Sequence, residues 1–328
     1  MFAALFSVAP SCALNPEIVT VWGGDAEVPK LVGVEPLSAK EIRATFSAPV
    51  SISNAEVAMP EVPGAIITTS WEADGGNSVV FILDESVGVG APAALSATVA
   101  DGKGNSLAFS VPFTGYNDHP AKLRINEIRI DYVGAKDKTL PKVEFIEFVV
   151  VSSGNLGGVE VYNAANAARP SYEFPPVEVS AGDFIVYHLR SIEEGLVNET
   201  GAIDASAGTD AKPTARDFWD TQTRKPFKDD NVILVRERKA GPIMDALLYV
   251  ATKTTDWPSD TVKAAAELAF SSGAWKPGSD VSDAAGTKSL SPTRTLGRDS
   301  LSRDTDSSSD WAVCAQSKYS PGMANPAR

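Results

Sequence analysis

At 328 residues, 43% hydrophobic and 22% charged, the chain has the composition of a soluble globular protein long enough for two domains, which excludes a disordered polymer. Its formal net charge of −13 is spread unevenly, with 4 Lys and Arg against 11 Asp and Glu in residues 22–117 and 25 against 30 in residues 118–328. An acidic surface repels phosphate backbones, so no nucleic-acid partner is expected, and two cysteines at opposite ends, Cys12 and Cys314, make no disulfide framework.

Met1 to Cys12, MFAALFSVAPSC, is apolar and uncharged, and too short to cross a bilayer as a helix, which takes about 20 apolar residues. Leu5-Phe6-Ser7-Val8 followed by Ala9-Pro10-Ser11-Cys12 resembles the end of a bacterial lipoprotein signal peptide. The resemblance implies lipidation at Cys12, a membrane partner reached through that anchor, and a location in the cell envelope, either periplasmic or at the cell surface. No Lys or Arg precedes the apolar run, as would follow if the basic region lay upstream of Met1. The bland alternative is an ordinary buried or frayed terminus. Residues 1–27 are thus read as a signal remnant and tether.

From residue 28 apolar and polar residues alternate, through Lys30–Val34, Glu41–Phe46, Ala65–Trp71, Ser78–Leu83, Leu95–Ala100 and Leu107–Phe113. Turn formers such as Asp74-Gly75-Gly76-Asn77 and Asp101-Gly102-Lys103-Gly104-Asn105 separate the runs. About seven short strands at this spacing predict a β-sandwich over residues 28–117. Val34-Glu35-Pro36, the run from Ala44 to Val50, and the run from Val99 to Leu107 resemble a bacterial immunoglobulin-like domain of the surface-layer type. That resemblance implies a spacer or adhesive module and no particular activity.

Gly115 to Pro120 breaks the alternation and marks the boundary, with His119 read as a solvated linker residue. Ile125-Asn126-Glu127-Ile128, then Glu144-Phe145-Ile146-Glu147-Phe148, resembles the start of a lamin tail domain. Later landmarks follow in that family's order: Gly157 to Tyr162, Val179 to Val186, the hairpin of Asp230–Val235 and Gly241–Tyr249, then Asp310-Trp311 and Ser320 to Asn325. The resemblance implies a second β-sandwich over residues 118–328, making the chain all-β with two sandwich domains. The segment is longer than such a domain needs, so partly helical insertions are placed near residues 189–227 and 252–293. Pro258–Phe270 is alanine-rich, with Ser259 or Asp260 as N-cap and Gly273 beyond its end, and predicts a helix. Thr214–Thr223 is a second candidate.

Few residues offer chemistry. Glu144 and Glu147 are three apart on a strand and point to opposite faces, so they do not pair, and the family resemblance gives Glu127, Glu144 and Glu147 structural roles. His188 is one of two histidines that could serve a nucleophile as base, and reads equally as a strand-end residue facing water; the chain holds neither a G-x-S-x-G elbow nor an H-E-x-x-H helix. Asp304, Asp306 and Asp310 alternate with Ser308 in an oxygen-rich run that suggests calcium, without the glycine and terminal Glu of an EF-hand; a solvated Ser/Asp loop is the plainer reading. Trp219, Trp257 and Trp275 fall in or beside the insertions, either as anchors for a protein or glycan partner or as covers for the ends of the sandwich. The expectation is a non-catalytic, lipid-anchored envelope protein, binding or structural, with an accessory or catalytic subunit of an envelope-associated hydrolase or nuclease as the competing reading.

Overall fold

The structure is a computed structural model that describes residues 28–131 and 142–327, other than 61, 63, 253 and 254. The proposed lipidation residue Cys12 lies outside the described residues.

Each alternating run of the first half forms a strand: β1 (Leu31–Ser38), β2 (Glu41–Phe46), β3 (Val50–Ala58), β4 (Ile66–Ala73), β5 (Ser78–Leu83), β6 (Pro92–Asp101) and β7 (Ser106–Thr114). They are antiparallel in the order β1-β2-β5-β4-β3-β6-β7. Ile42, Ala44 and Phe46 of β2, Val79, Phe81 and Leu83 of β5, and Leu95, Ala97 and Val99 of β6 share one core. β3 escapes the alternation rule because its pairing with β6 shifts between Ile52 and Asn54. The extra residue of a bulge resets the period of two there.

The second half contributes β8 (Lys122–Arg129), β9 (Phe145–Ser152), β10 (Gly154–Asn155), β11 (Glu160–Asn163), β12 (Ser171–Glu173), β13 (Glu178–Val179), β14 (Phe184–His188), β15 (Ala215–Trp219), β16 (Asn231–Arg236), β17 (Ile243–Val250), α1 (Asp260–Ser271), β18 (Ala285–Gly286), β19 (Leu296–Gly297) and β20 (Ala312–Val313). One sheet runs β15-β14-β9-β8-β19-β20, another β12-β11-β16-β17-β18, and β10 pairs with β13. Ile125, Ile146, Phe148 and Ile185 of the first sheet pack in one core with Val161, Leu234 and Leu248 of the second.

Both sheets are buried on both faces, which is why β9, β16 and β17 read as near-continuous apolar runs instead of alternating. Helix α1 packs on β16 and β17. Val262, Ala265, Ala266 and Ala269 form its buried stripe at helical spacing, and the Ser259 side chain caps it by accepting from the Val262 amide. The helix expected within Thr214–Thr223 is instead strand β15, parallel to β14. Its Ala-Arg-Asp-Phe-Trp sequence alternates across the sheet, and the aromatics gain more from cross-strand packing than a short isolated helix offers.

The junction between the halves is tightly built. Gly115 exchanges backbone hydrogen bonds with Gly90 (3.0 Å) and Ala91 (2.8 Å). Asn117 Nδ2 donates to the carbonyls of Asn155 (2.8 Å) and Gly157 (2.9 Å), and Thr114 Oγ1 donates to Glu173 (3.0 Å). Gly90, at φ +64°, sits so close to the second domain that a Cβ there would lie 2.7 Å from the Gly157 Cα. His119 lies between Asp118 (2.5 Å) and Glu178 (3.0 Å), whose hydrogen bonds raise its pKa above 6.5.

Candidate functional site

The ionisable groups of the second domain gather on the face of the β15-β14-β9-β8 sheet that looks away from the main core. Strand register sets them in two rows. Arg129, Phe145, His188 and Trp219 are successive partners across β8, β9, β14 and β15, and Glu127, Glu147, Val186 and Asp217 form the next row. Residues 198–212 and the C-terminal segment cover this face, so Arg129, Glu127, Glu147, His188 and Asp217 are all at most 1% exposed.

Glu127 and Glu147 stand directly opposite one another. A register shift between Ile125 and Glu127 leaves Asn126 as the extra residue of a bulge, and its Nδ2 donates to Glu147 (2.6 Å). Glu127 accepts from Thr295 Oγ1 and from the Ser320 amide (3.1 Å), while Glu147 accepts from the Gly322 amide (2.5 Å). Asn325 Nδ2 donates to the carbonyls of Asn126 and Arg298, each at 3.0 Å. Burial lifts the Glu127 carboxyl above its ordinary range; burial and then the charge of Glu127 lift Glu147 well above it. Both glutamates thus accept from loop amides, the kind of contact the family resemblance implied. The spacing argument that kept Glu144 and Glu147 apart also holds, since Glu144 turns to Arg190 (Nε–Oε2 2.6 Å).

One of the two readings of His188 has it facing water. It is instead fully buried, with Nε2 2.6 Å from Asp217 and its ring stacked on Trp219 at 3.8 Å and 10°. Asp217 also accepts from the Lys212 amide (3.1 Å). Glu199 accepts from the Asp217 amide (2.9 Å) and donates its own amide to the Asp217 carbonyl (3.0 Å), closing the free edge of β15. Arg129 pairs with Asp210 between the rings of Phe145 (4.9 Å) and Tyr319 (4.3 Å). Its Nε and Nη2, with His188 Nδ1 and Trp219 Nε1, are buried without a hydrogen-bond partner among the described residues.

A second knot centres on Arg298, which is 2% exposed. Nε donates to the Ile125 carbonyl (2.8 Å), Nη1 to Asp304 (2.8 Å), Asp310 (3.1 Å) and the Arg303 carbonyl (3.1 Å), and Nη2 to Asp245 (3.2 Å). The guanidinium lies 4.7 Å from the Trp311 ring centre. Burial pushes Asp245 up to about 7 against the opposing charge of Arg298.

This knot corrects the calcium expectation. Asp304 also faces Arg124 (3.2 Å), Asp306 pairs with Lys276 (2.7 Å), and Asp310 accepts from Thr305 Oγ1 (2.7 Å) and the Thr305 amide (2.7 Å). Among the described residues no group of three acidic, His or Cys side chains is arranged to hold a metal. Alternation along a loop does not make carboxylates converge, and here Arg298 supplies the positive charge between Asp304 and Asp310.

The three tryptophans differ in their burial. Trp275 is wholly in the core, with Nε1 3.3 Å from the Asp283 carbonyl, and Trp219 is 5% exposed beneath Gly208. Trp257 is half-buried against the core and donates to the Ser279 carbonyl (2.8 Å). Trp219 and Trp275 are thus closed off by the chain itself, while Trp257 keeps part of its surface open. Arg129 and Asp210 were missed because they lie 81 residues apart, and the Arg298–Asp245 pair because it spans 53. The one legible hint was Asn325, the last residue of the closing motif.

A family model described as TP_1001_2nd, protein second domain, matches residues 121–313, from the first residue after the linker to the end of β20. An uncharacterized protein of Treponema pallidum (strain Nichols) is 35% identical over 195 residues, 57% of this chain and 48% of the relative, so the chain spans about half the length of that curated relative. Among solved structures, the N-terminal part of the bacterial S-layer protein SbsC overlaps 64% of this chain and 40% of its own at 13% identity and a TM-score of 0.27. Domains 1–6 of the same surface layer protein overlap 65% and 39% at 11% identity and a TM-score of 0.27. Overlap at that TM-score bears on neither fold nor function.

Proposed function

Since the chain belongs, through residues 121–313, to the TP_1001_2nd family, we propose that it is a non-catalytic module of the bacterial cell envelope, tethered by a lipid at Cys12. In this reading residues 28–117 are an immunoglobulin-like spacer, and the lamin-tail-like second domain is the binding or load-bearing unit. One observation carries it: the ionisable side chains of the β15-β14-β9-β8 sheet are used to join that sheet to its own long connections. Glu127 and Glu147 hold the C-terminal segment, Glu199 and Asp217 hold the first insertion, and Arg298 joins β8, β17 and the loop after β19. The apolar, uncharged run ahead of Cys12 supports the envelope location.

Cell fractionation tests the location. Wild type is expected with membranes and Cys12→Ala in the soluble fraction; wild type in the soluble fraction overturns the anchor. Incubating the purified chain with phosphodiester and glycan substrates tests the rest. Turnover that disappears in Glu147→Gln would replace the module with a hydrolase.

A further inference from the structure

We propose that the Glu127–Glu147 pair is a proton-dependent latch for the C-terminal segment, holding residues 319–325 closed while the two carboxyls share a proton and releasing them when that proton is lost. Glu127 and Glu147 are direct register partners on β8 and β9. Directly opposed residues on antiparallel strands have Cβ atoms about 5 Å apart, and both carboxyls are at most 1% exposed. Two negative charges at that spacing, away from water, do not both persist, and such a pair titrates as a unit.

Neutral donors surround the pair, the Met323 amide among them. From the C-terminal segment come the Ser320 and Gly322 amides, from β8 the Asn126 amide group, and from the residue before β19 the Thr295 hydroxyl, itself 3.0 Å from Cys314 Sγ. The facing cation is Arg129, and it is already matched by Asp210. Asp217, in the same row on β15, lies beyond Val186 and is hydrogen-bonded to His188 (2.6 Å). Burial lifts both glutamates, and their mutual repulsion lifts Glu147 furthest.

The sign follows from that direction. The closed form binds the proton more tightly than an open, hydrated form with a pKa near 4.5. Closure is therefore favoured most at low pH and weakens as pH rises from about 4.5 through the closed-form pKa. The segment yields before the sheet does: it forms no strand, and although Ser320 and Asn325 are buried in it, Met323 is 54% exposed, whereas Phe148 and Ile185 behind the pair are 0% exposed. Release lifts Tyr319 from Arg129 and opens the polar row to solvent. The latch rests on this geometry and is independent of the envelope reading.

Backbone hydrogen exchange on the full chain, corrected for the intrinsic effect of pH, tests it. Protection of the Ser320 and Gly322 amides is expected to fall about tenfold or more between pH 6 and 9, while Val232–Val235 in β16 stay protected. Glu147→Gln and Glu127→Gln, which keep a neutral acceptor at one position, are expected to flatten that dependence. Tail protection in the wild type that is independent of pH, or that falls only in step with β16, overturns the latch. Should neither variant fold, carbon-detected titration of the wild-type glutamate carboxyls decides: a midpoint well above 4.5 for the pair supports the latch, and two ordinary midpoints overturn it.

Discussion

A single arginine shows how the second domain is held. Arg298 reaches the Ile125 carbonyl, Asp245, Asp304 and Asp310 from one planar group, so β8, β17 and the loop after β19 share one set of donors. The fork geometry matters more than the charge, because lysine offers a point charge on a flexible stem. Removing one partner of a buried pair strands the other, at a cost of roughly 3–5 kcal/mol. Arg298→Met is expected to lose about that much in urea denaturation of the second domain, and Arg298→Lys to recover only part of it. A loss below about 1 kcal/mol for Arg298→Met would mean that the knot is peripheral. His188 carries a related lesson, since a terminal strand position looks solvated in the sequence and is sealed in space by residues 198–212.

At the scale of elements, the loop after β19 is the clearest case of a pattern with the opposite meaning to its appearance. Asp304, Asp306 and Asp310 alternate as calcium ligands do, yet each is already met by Arg298, Lys276 or loop donors. A ligand that binds only the folded form raises stability by mass action. Millimolar calcium is therefore expected to leave the melting temperature unchanged, and chelation likewise; a calcium-dependent rise would restore the metal reading. The bulge at Asn126 belongs to the same scale. It turns Ile-Asn-Glu from three strand residues into a joint, with Asn126 facing Glu147 on one side and Asn325 on the other.

For the whole molecule, the joint between the domains is made by close backbone approach. Gly90→Ala would place a methyl group 2.7 Å from the Gly157 Cα and force a side chain into φ +64°. The two cores share no buried residue, so each is expected to keep its own unfolding transition in this variant while the radius of gyration in solution scattering increases. An unchanged scattering profile would show that the joint does not depend on this contact. The sequence by itself determined the all-β architecture and the helix at Pro258–Phe270. Periodicity, caps and turn formers act over a few residues and are legible there. It did not determine that Thr214–Thr223 holds a strand, that Trp219 and Trp275 are buried, that the acidic loop closes on an arginine, or that Glu127 faces Glu147. Those outcomes depend on which strands become neighbours and which loops fold over them, and only the tertiary structure brings Glu127 within reach of Ser320, 193 residues away.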